Sequence, residues 1–397
     1  MRVLYYNWFE NSKEDMASTL LCLGHTVISC NIPFLDYEED AEFTKNLEKI
    51  IQDNDCDIIC SFDFFPLIAK TAKHLQIKYM SWVYDCPHRT LYSPAVKGEY
   101  NYIFLFDYVQ FIRMRSLGLP HLFHFPLAVN VDRMEQLLGK MSEKNDFLSI
   151  HNNYQDDISF VGSLYENNLY DQISYLPPYL KGYIDGVMQM QEKVYGYNLI
   201  SELLDDKIVE ELKKYVLLEL DPSYLVTARE TYVDMINAKI TSEERIHLLS
   251  QLACKYPVAL YTASDTKRLN GVKQKGTVSY QLEMPQVFRN SKINLNMTLR
   301  SIQSGIPLRA LDIMGAGGFL ISNYQQELAE QFIDGKEIVL YGSKEELMEK
   351  VDHYLHHEAE REEIAYRGFL KVKEKFSYKI RVKQMIDIVS ERTIYEG

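Results

Sequence analysis

The sequence predicts an α/β chain of two doubly wound, Rossmann-like domains, the second carrying a helical insertion. Apolar strand patterns alternate with helical ones through roughly the first 130 residues, the signature of a parallel sheet covered on both faces. The alternation stops and then resumes at Asp157–Leu164 and Val258–Ala263. At 397 residues the chain is long for one core and comfortable for two. The expected domains are 1–150 and 151–397, with the insertion at about 168–254.

In the first half, Arg2–Trp8, His25–Ile32, Asp57–Phe62, Lys78–Tyr84, Tyr102–Phe106 and His121–Leu127 read as strands. Helical patterns fill Lys13–Leu23, Glu38–Gln52 and Pro66–His74. Short crossovers of this kind wind helices onto both faces of a sheet. Asn130–Asp156 is polar and mixed, a linker plus a surface helix. The insertion is rich in Tyr, Leu, Glu and Lys, contains Pro177-Pro178 and has no convincing strand. Its aromatics leave an acceptor platform or a homodimer face as expectations. Helices are expected from Ser343 onward.

The stretch Ser291–Gly342 is the most informative. A strand, Lys292–Thr298, leads to a loop with Arg300, then to a helix opened by Gly305-Ile306-Pro307 and holding Arg309 and Asp312. Gly315–Gly318 stops that helix before the strand Phe319–Asn323. A helix start offers unpaired N–H groups and partial positive charge, so Gly305 marks a place for a diphosphate. Arg300 and Arg309 flank it, and guanidinium groups stabilise charge on a leaving phosphate. An acid one to two turns in, Asp312, can accept from ribose hydroxyls. The four glycines follow a helix, whereas a phosphate loop precedes one, so helix termination accounts for them.

The block GIPLR…DIMGAGGF over Gly305–Phe319 resembles the donor domain of GT-B glycosyltransferases, specifically the spore-maturation CgeB-type family. Weaker resemblance runs through Phe160–Glu166, Trp82–Pro87 and Phe125–Asn130. The resemblance implies two domains facing across a cleft, a nucleotide diphosphate sugar as donor substrate (UDP-sugar being one candidate), and no cofactor or metal. It implies that Asp312 binds ribose, that Glu327 is a donor-site acid beyond the glycine turn, and that Arg309 serves the phosphates. Gly162-Ser163, ending the first C-terminal strand, would let the phosphates approach closely. Base contacts are expected at Val278–Tyr280, with Tyr280 included among the donor-site residues. Retaining members often carry two glutamates, the second aligned with Asp312; the first falls on Ser304, which supplies no anionic acceptor for the sugar.

Three N-terminal strands end in an acid: Asp63, Asp85 and Asp107. Open α/β sheets bind ligands beyond the carboxyl ends of their strands, which puts all three near the acceptor. Asp85 is the preferred base for an attacking hydroxyl, with His88 next. Asp55-Cys56-Asp57 precedes a strand and reads as a turn rather than a metal–nucleotide motif. His353, His356 and His357 lie on a highly charged helix and read as a solvated face rather than a zinc site.

A formal charge of −13 excludes a generally basic nucleic-acid-binding surface. No apolar run approaches the ~20 residues of a membrane span, and the N-terminus carries no signal-peptide pattern. Six cysteines without CxxC spacing read as buried thiols of a cytoplasmic protein. The expected function is metal-independent sugar transfer to a surface glycan, spore component or protein. A nucleotide-sugar epimerase and a non-catalytic sugar-binding module are the rivals, because fold does not fix reaction.

Overall fold

The computed structural model describes residues 1–149, 154–219 and 221–391. Residues 150–153 of the expected linker lie outside them. The chain forms two units. Unit 1 comprises Met1–Asn130, Asp221–Leu225 and the chain from Phe376; the remainder is unit 2. The division therefore falls earlier than residue 150, and the C-terminus returns to the first unit. Packing explains the return. Tyr378, opening the helix Tyr378–Val389, meets the Trp82 ring at 5.8 Å and the Phe62 ring at 6.4 Å.

Unit 1 is a six-stranded parallel sheet of β1 (Arg2–Tyr6), β2 (Thr26–Cys30), β3 (Ile58–Phe62), β4 (Lys78–Val83), β5 (Asn101–Leu105) and β6 (Leu122–His124). Its order is β2-β1-β3-β4-β5-β6. The inner strands β3, β4 and β5 are buried almost throughout, as helices on both faces require. Since β1 pairs with both β2 and β3, the winding reverses between β1 and β3. Local chemistry sets the joints. Asp40 caps the helix Ala41–Asp53 through the Phe43 amide, and Asp107 caps Tyr108–Arg115 through the Gln110 amide at 2.8 Å. Asp55 adopts a left-handed turn before β3, and Asp57 accepts from the Arg2 amide.

Unit 2 is also six-stranded and parallel: β7 (Asp156–Val161), β8 (Val258–Tyr261), β9 (Lys273–Gly276), β10 (Ser291–Asn296), β11 (Leu320–Asn323) and β12 (Val339–Tyr341). The order β12-β11-β10-β7-β8-β9 puts the reversal between β7 and β10. The sequence pattern does not reveal β9, which reads KQKG and is exposed throughout. It is an edge strand held by backbone pairing, with lysines of the kind that keep such edges from pairing further. The insertion is helical, as expected. Pro178–Gln191, Ile200–Leu203 and Asp206–Lys213 pack on the first half of the 26-residue helix Ala228–Ala253 around Leu180, Ile184, Leu212 and Ile236. Thr227 and Glu230 form a capping box at that helix's start.

The helix Leu308–Gly315 follows β10, with Pro307 at its N-cap and Gly317 left-handed just past its end. A Cβ at Gly318 would lie 2.7 Å from the Phe288 carbonyl oxygen, so close packing also holds that position to glycine. His353 pairs with Glu360 and stacks on His357 at the exposed end of the helix Lys344–His356.

Candidate active site

In unit 2 the reversal point between β7 and β10 is where an open α/β sheet takes a ligand. A buried arginine spans it. Arg245, from the helix Ala228–Ala253, donates through Nη1 to the Ser163 carbonyl at 2.6 Å and through Nη2 to the Met297 carbonyl. It thereby ties the end of β7 to the end of β10. Its guanidinium lies over the Phe160 and Tyr165 rings, 5.3 and 5.0 Å from their centroids. Burial lowers its pKa, and the charge of Arg309 contributes to that lowering. A Cβ at Gly162 would meet the Phe160 ring and Arg245 only at ordinary contact distance, and the Ser163 hydroxyl accepts from the Tyr165 amide.

Asp312 sits in the second turn of the helix Leu308–Gly315 and is 1% exposed. Its Oδ1 accepts from the Tyr280 hydroxyl at 3.0 Å and its Oδ2 from Arg309 Nη1 at 3.2 Å. Arg309 keeps 29% of its side chain exposed, with its guanidinium 5.6 Å from the Phe288 ring. The fold thus joins three residues that the sequence singled out, Tyr280, Arg309 and Asp312. It adds one that the sequence did not: Arg133, on the helix Val131–Leu138, lies over the Tyr280 ring at 5.4 Å and donates to the Gln281 carbonyl. A ribose reaching Asp312 would meet a carboxylate already oriented by two donors.

Glu327 is buried with Oε1 accepting from the Ser304 hydroxyl at 2.8 Å, while its amide donates to the Ser304 carbonyl. Ser304, immediately before Gly305, therefore pins Glu327 to the loop that opens the helix. Arg300 faces the insertion. Its Nε donates to Glu244 Oε2 at 2.8 Å, its Nη1 donates to the Val194 carbonyl, and the Tyr195 ring lies 4.2 Å away. Its charge is matched by Glu244.

In unit 1 the reversal point carries a second group. Asp63, just past β3, is left-handed (φ 56°) and 1% exposed. Its Oδ1 accepts from the Tyr84 and Asp85 amides at 3.1 and 3.2 Å, and its Oδ2 is buried without a partner. Asp85 and His88 join it, with one ligand-type atom of each within 4.8 Å of the others. The strand-end placement of Asp63 and Asp85 was legible in the sequence; their closure with His88, across an intervening helix and strand, was not. Asp107 caps its helix instead, as described above.

Burial pushes the Asp63 carboxyl up to about 7 against two amide donors that pull it down. Desolvation, then the charge of Asp63, pushes Asp85 up to about 6, although Asp85 lies at the surface. Burial lowers His88, whose Nε2 lies 3.0 Å from the Phe64 carbonyl and 2.5 Å from the Thr90 hydroxyl.

An ordinary aspartate ionises near 3.9, so both carboxyls hold protons more tightly folded than unfolded. Their contribution is fully present below about pH 4 and lost as pH rises through about 6 to 7. Stability should therefore fall across that window. Asp63→Asn, which keeps an acceptor for the amides, should flatten the fall; urea midpoints at pH 4.5 and 7.5 check this.

Comparison with known proteins fits this geometry. Residues 239–387 match the glycosyl transferase-like family, so the chain carries a glycosyl transferase-like domain. That segment holds Arg245, Tyr280, Arg309, Asp312 and Glu327. None of the curated proteins matches the chain. Among solved structures, it is similar to sucrose-phosphate synthase from Thermosynechococcus elongatus (8% identity, 99% of each chain, TM-score 0.58). It is also similar to Anabaena Alr3699/HepE in complex with UDP and glucose (11% identity, 98% of this chain and 100% of that one, TM-score 0.53). A glycosyltransferase from Rickettsia africae ESF-5 is similar as well (13% identity, 98% of each chain, TM-score 0.51). The fold is GT-B. Among the described residues no helix is long and apolar enough to cross a membrane.

Proposed function

We propose that the protein is a CgeB-type glycosyltransferase that moves a sugar from a nucleoside diphosphate donor to a hydroxyl of a glycan or protein acceptor. The observation that carries the reading is the Tyr280–Arg309–Asp312 cluster beside the β7/β10 reversal point. Asp312 takes the ribose hydroxyls. Arg309, supported by Arg245 and the helix start after Gly305, takes the diphosphate, while Gly162 and Ser163 allow its approach. Glu327 faces the donor through the Ser304 loop. Asp85, with Asp63 and His88 beside it, is the base toward the acceptor. UDP is the first nucleotide to test, since the similar HepE structure holds UDP and glucose.

Incubation with a panel of nucleotide sugars tests the reading. Release of free nucleotide supports it, an isomerised sugar would mark an epimerase, and binding without turnover would mark a binding module. Arg309→Ala should leave nucleoside affinity near wild type, remove most of the gain from the diphosphate, and lower the rate, because charge on the leaving phosphate grows in the transition state. Calorimetry with uridine, UMP and UDP separates these contributions.

The chemical step should need no divalent ion, since guanidinium groups and a helix start supply the positive charge at the donor. Turnover in excess chelator should match that without it. Loss of activity restored by a stoichiometric divalent ion would overturn this and direct attention to Asp63, Asp85 and His88.

A further inference from the structure

Asp63, Asp85 and His88 close on one another beyond the ends of β3 and β4, each offering one ligand atom within 4.8 Å of the other two. Asp85 serves as the base; the trio as a whole is also a donor set for a cation. Its charges are poorly matched. Asp63 is buried and feels the charge of Glu10, while Asp85 feels that of Asp63. The basic group facing them is His88, with Nδ1 3.8 Å from Asp63 Oδ1. Like charges taken out of water repel strongly, and either a proton or a bound cation relieves them.

The ligand atoms are held in place by their surroundings, as metal ligands are. Asp63 Oδ1 is taken by the Tyr84 and Asp85 amides, which fix the carboxyl. That leaves Oδ2 to ligate, and Oδ2 is buried without a hydrogen-bond partner. His88 has Nε2 3.0 Å from the Phe64 carbonyl and beside the Thr90 hydroxyl. Donating Nε2–H to that carbonyl leaves the Nδ1 lone pair for a metal, on the side of the carboxyls. Asp85 is at the surface, so an ion can enter there and keep water on its open side. Asp63 also holds a left-handed backbone (φ 56°), a strain that collects at ligand sites. Zinc ligands stand about 2 Å from the ion, and a small inward turn of the exposed Asp85 brings the trio to that range. One imidazole with two carboxylates suits zinc better than magnesium, which takes oxygen ligands.

We infer that Asp63, Asp85 and His88 bind one divalent ion of the zinc type, and that the bound ion inhibits the enzyme. Inhibition follows because the Asp85 oxygens that would take the acceptor's proton are then engaged with the ion. This consequence rests on the transferase reading and leaves the chemical step itself free of metal. Binding of the ion does not rest on that reading.

The test is calorimetry of the full chain, stripped with a chelator and exchanged into buffer, with zinc and magnesium ions as probes. Zinc should bind at one ion per chain with a dissociation constant in the micromolar range, and millimolar magnesium should not displace it. Asp85→Asn, at a surface position, and His88→Ala should each weaken zinc at least about ten- to a hundred-fold, the span lost even with an outer-shell partner. Asp63→Asn, which keeps an acceptor for both amides, should do the same. His357→Ala, in the exposed histidine pair, is the control and should leave this binding unchanged. With a UDP-sugar that the chain turns over, zinc should inhibit with the same constant, and a chelator should restore the rate. Absence of one-to-one binding, or binding that persists in all three folded variants, would overturn the site. Saturation with zinc at an undiminished rate would overturn the inhibition. Zinc binding by a chain that turns over no nucleotide sugar would support the site and count against the transferase reading instead.

Discussion

Asp312→Ala should bind UDP and UDP-sugars ten- to a hundred-fold more weakly than wild type. The carboxylate is 1% exposed and held by Tyr280 and Arg309, so it is desolvated and preoriented before any ligand arrives. Hydrogen bonds to a charged group contribute roughly 1.5–3 kcal/mol, which is the stated span in affinity. Truncation also leaves Tyr280 and Arg309 without this acceptor, so part of the measured loss is their rearrangement. Uridine, UMP and UDP should all be affected, in contrast to Arg309→Ala. Circular dichroism first establishes that the variant folds. Wild-type affinity for all three ligands would remove the ribose role and with it the main support for the donor site.

Asp85→Asn should reduce turnover by roughly 10²–10⁴-fold, the usual contribution of a general base, while nucleotide affinity stays near wild type. The carboxyl lies just past the end of β4, with Asp63 and His88 beside it. Its pKa of about 6 implies that the wild-type rate rises with pH through that value as the base loses its proton. The asparagine variant should lose this acidic limb. His88→Ala should move the limb rather than abolish it, since the Asp85 proton is held lower by the His88 charge. A rate like that of wild type in Asp85→Asn, with an unchanged pH profile, would exclude Asp85 as the base.

The parts of this architecture that depend on neighbouring residues were legible in the sequence. Strand and helix periods located most of both sheets, and Pro307 and the glycines marked the ends of the helix carrying Asp312. Strand β9 was hidden because an edge strand reading KQKG has no apolar face to betray it. Long-range pairings were hidden for a different reason. Arg133 reaches Tyr280, Arg245 joins Ser163 to Met297, and Asp63 meets Asp85 only after the sheets form. Arg300 illustrates the limit most clearly. Its place after a strand suggested a phosphate, and its partner Glu244 comes from a helix 56 residues earlier.

The helix Ala228–Ala253 has a bearing on protein engineering. Its first half anchors the inserted helices, and its second half supplies Glu244 and Arg245, which fix Arg300 and the strand ends. At 1.5 Å per residue its 26 residues make a rod of about 39 Å. Excising 168–254 would therefore remove two residues that brace the strand ends of unit 2, and no linker would restore them. A chimera that exchanges the inserted helices should be cut before Thr227, so that the capping box and the rod stay with the recipient.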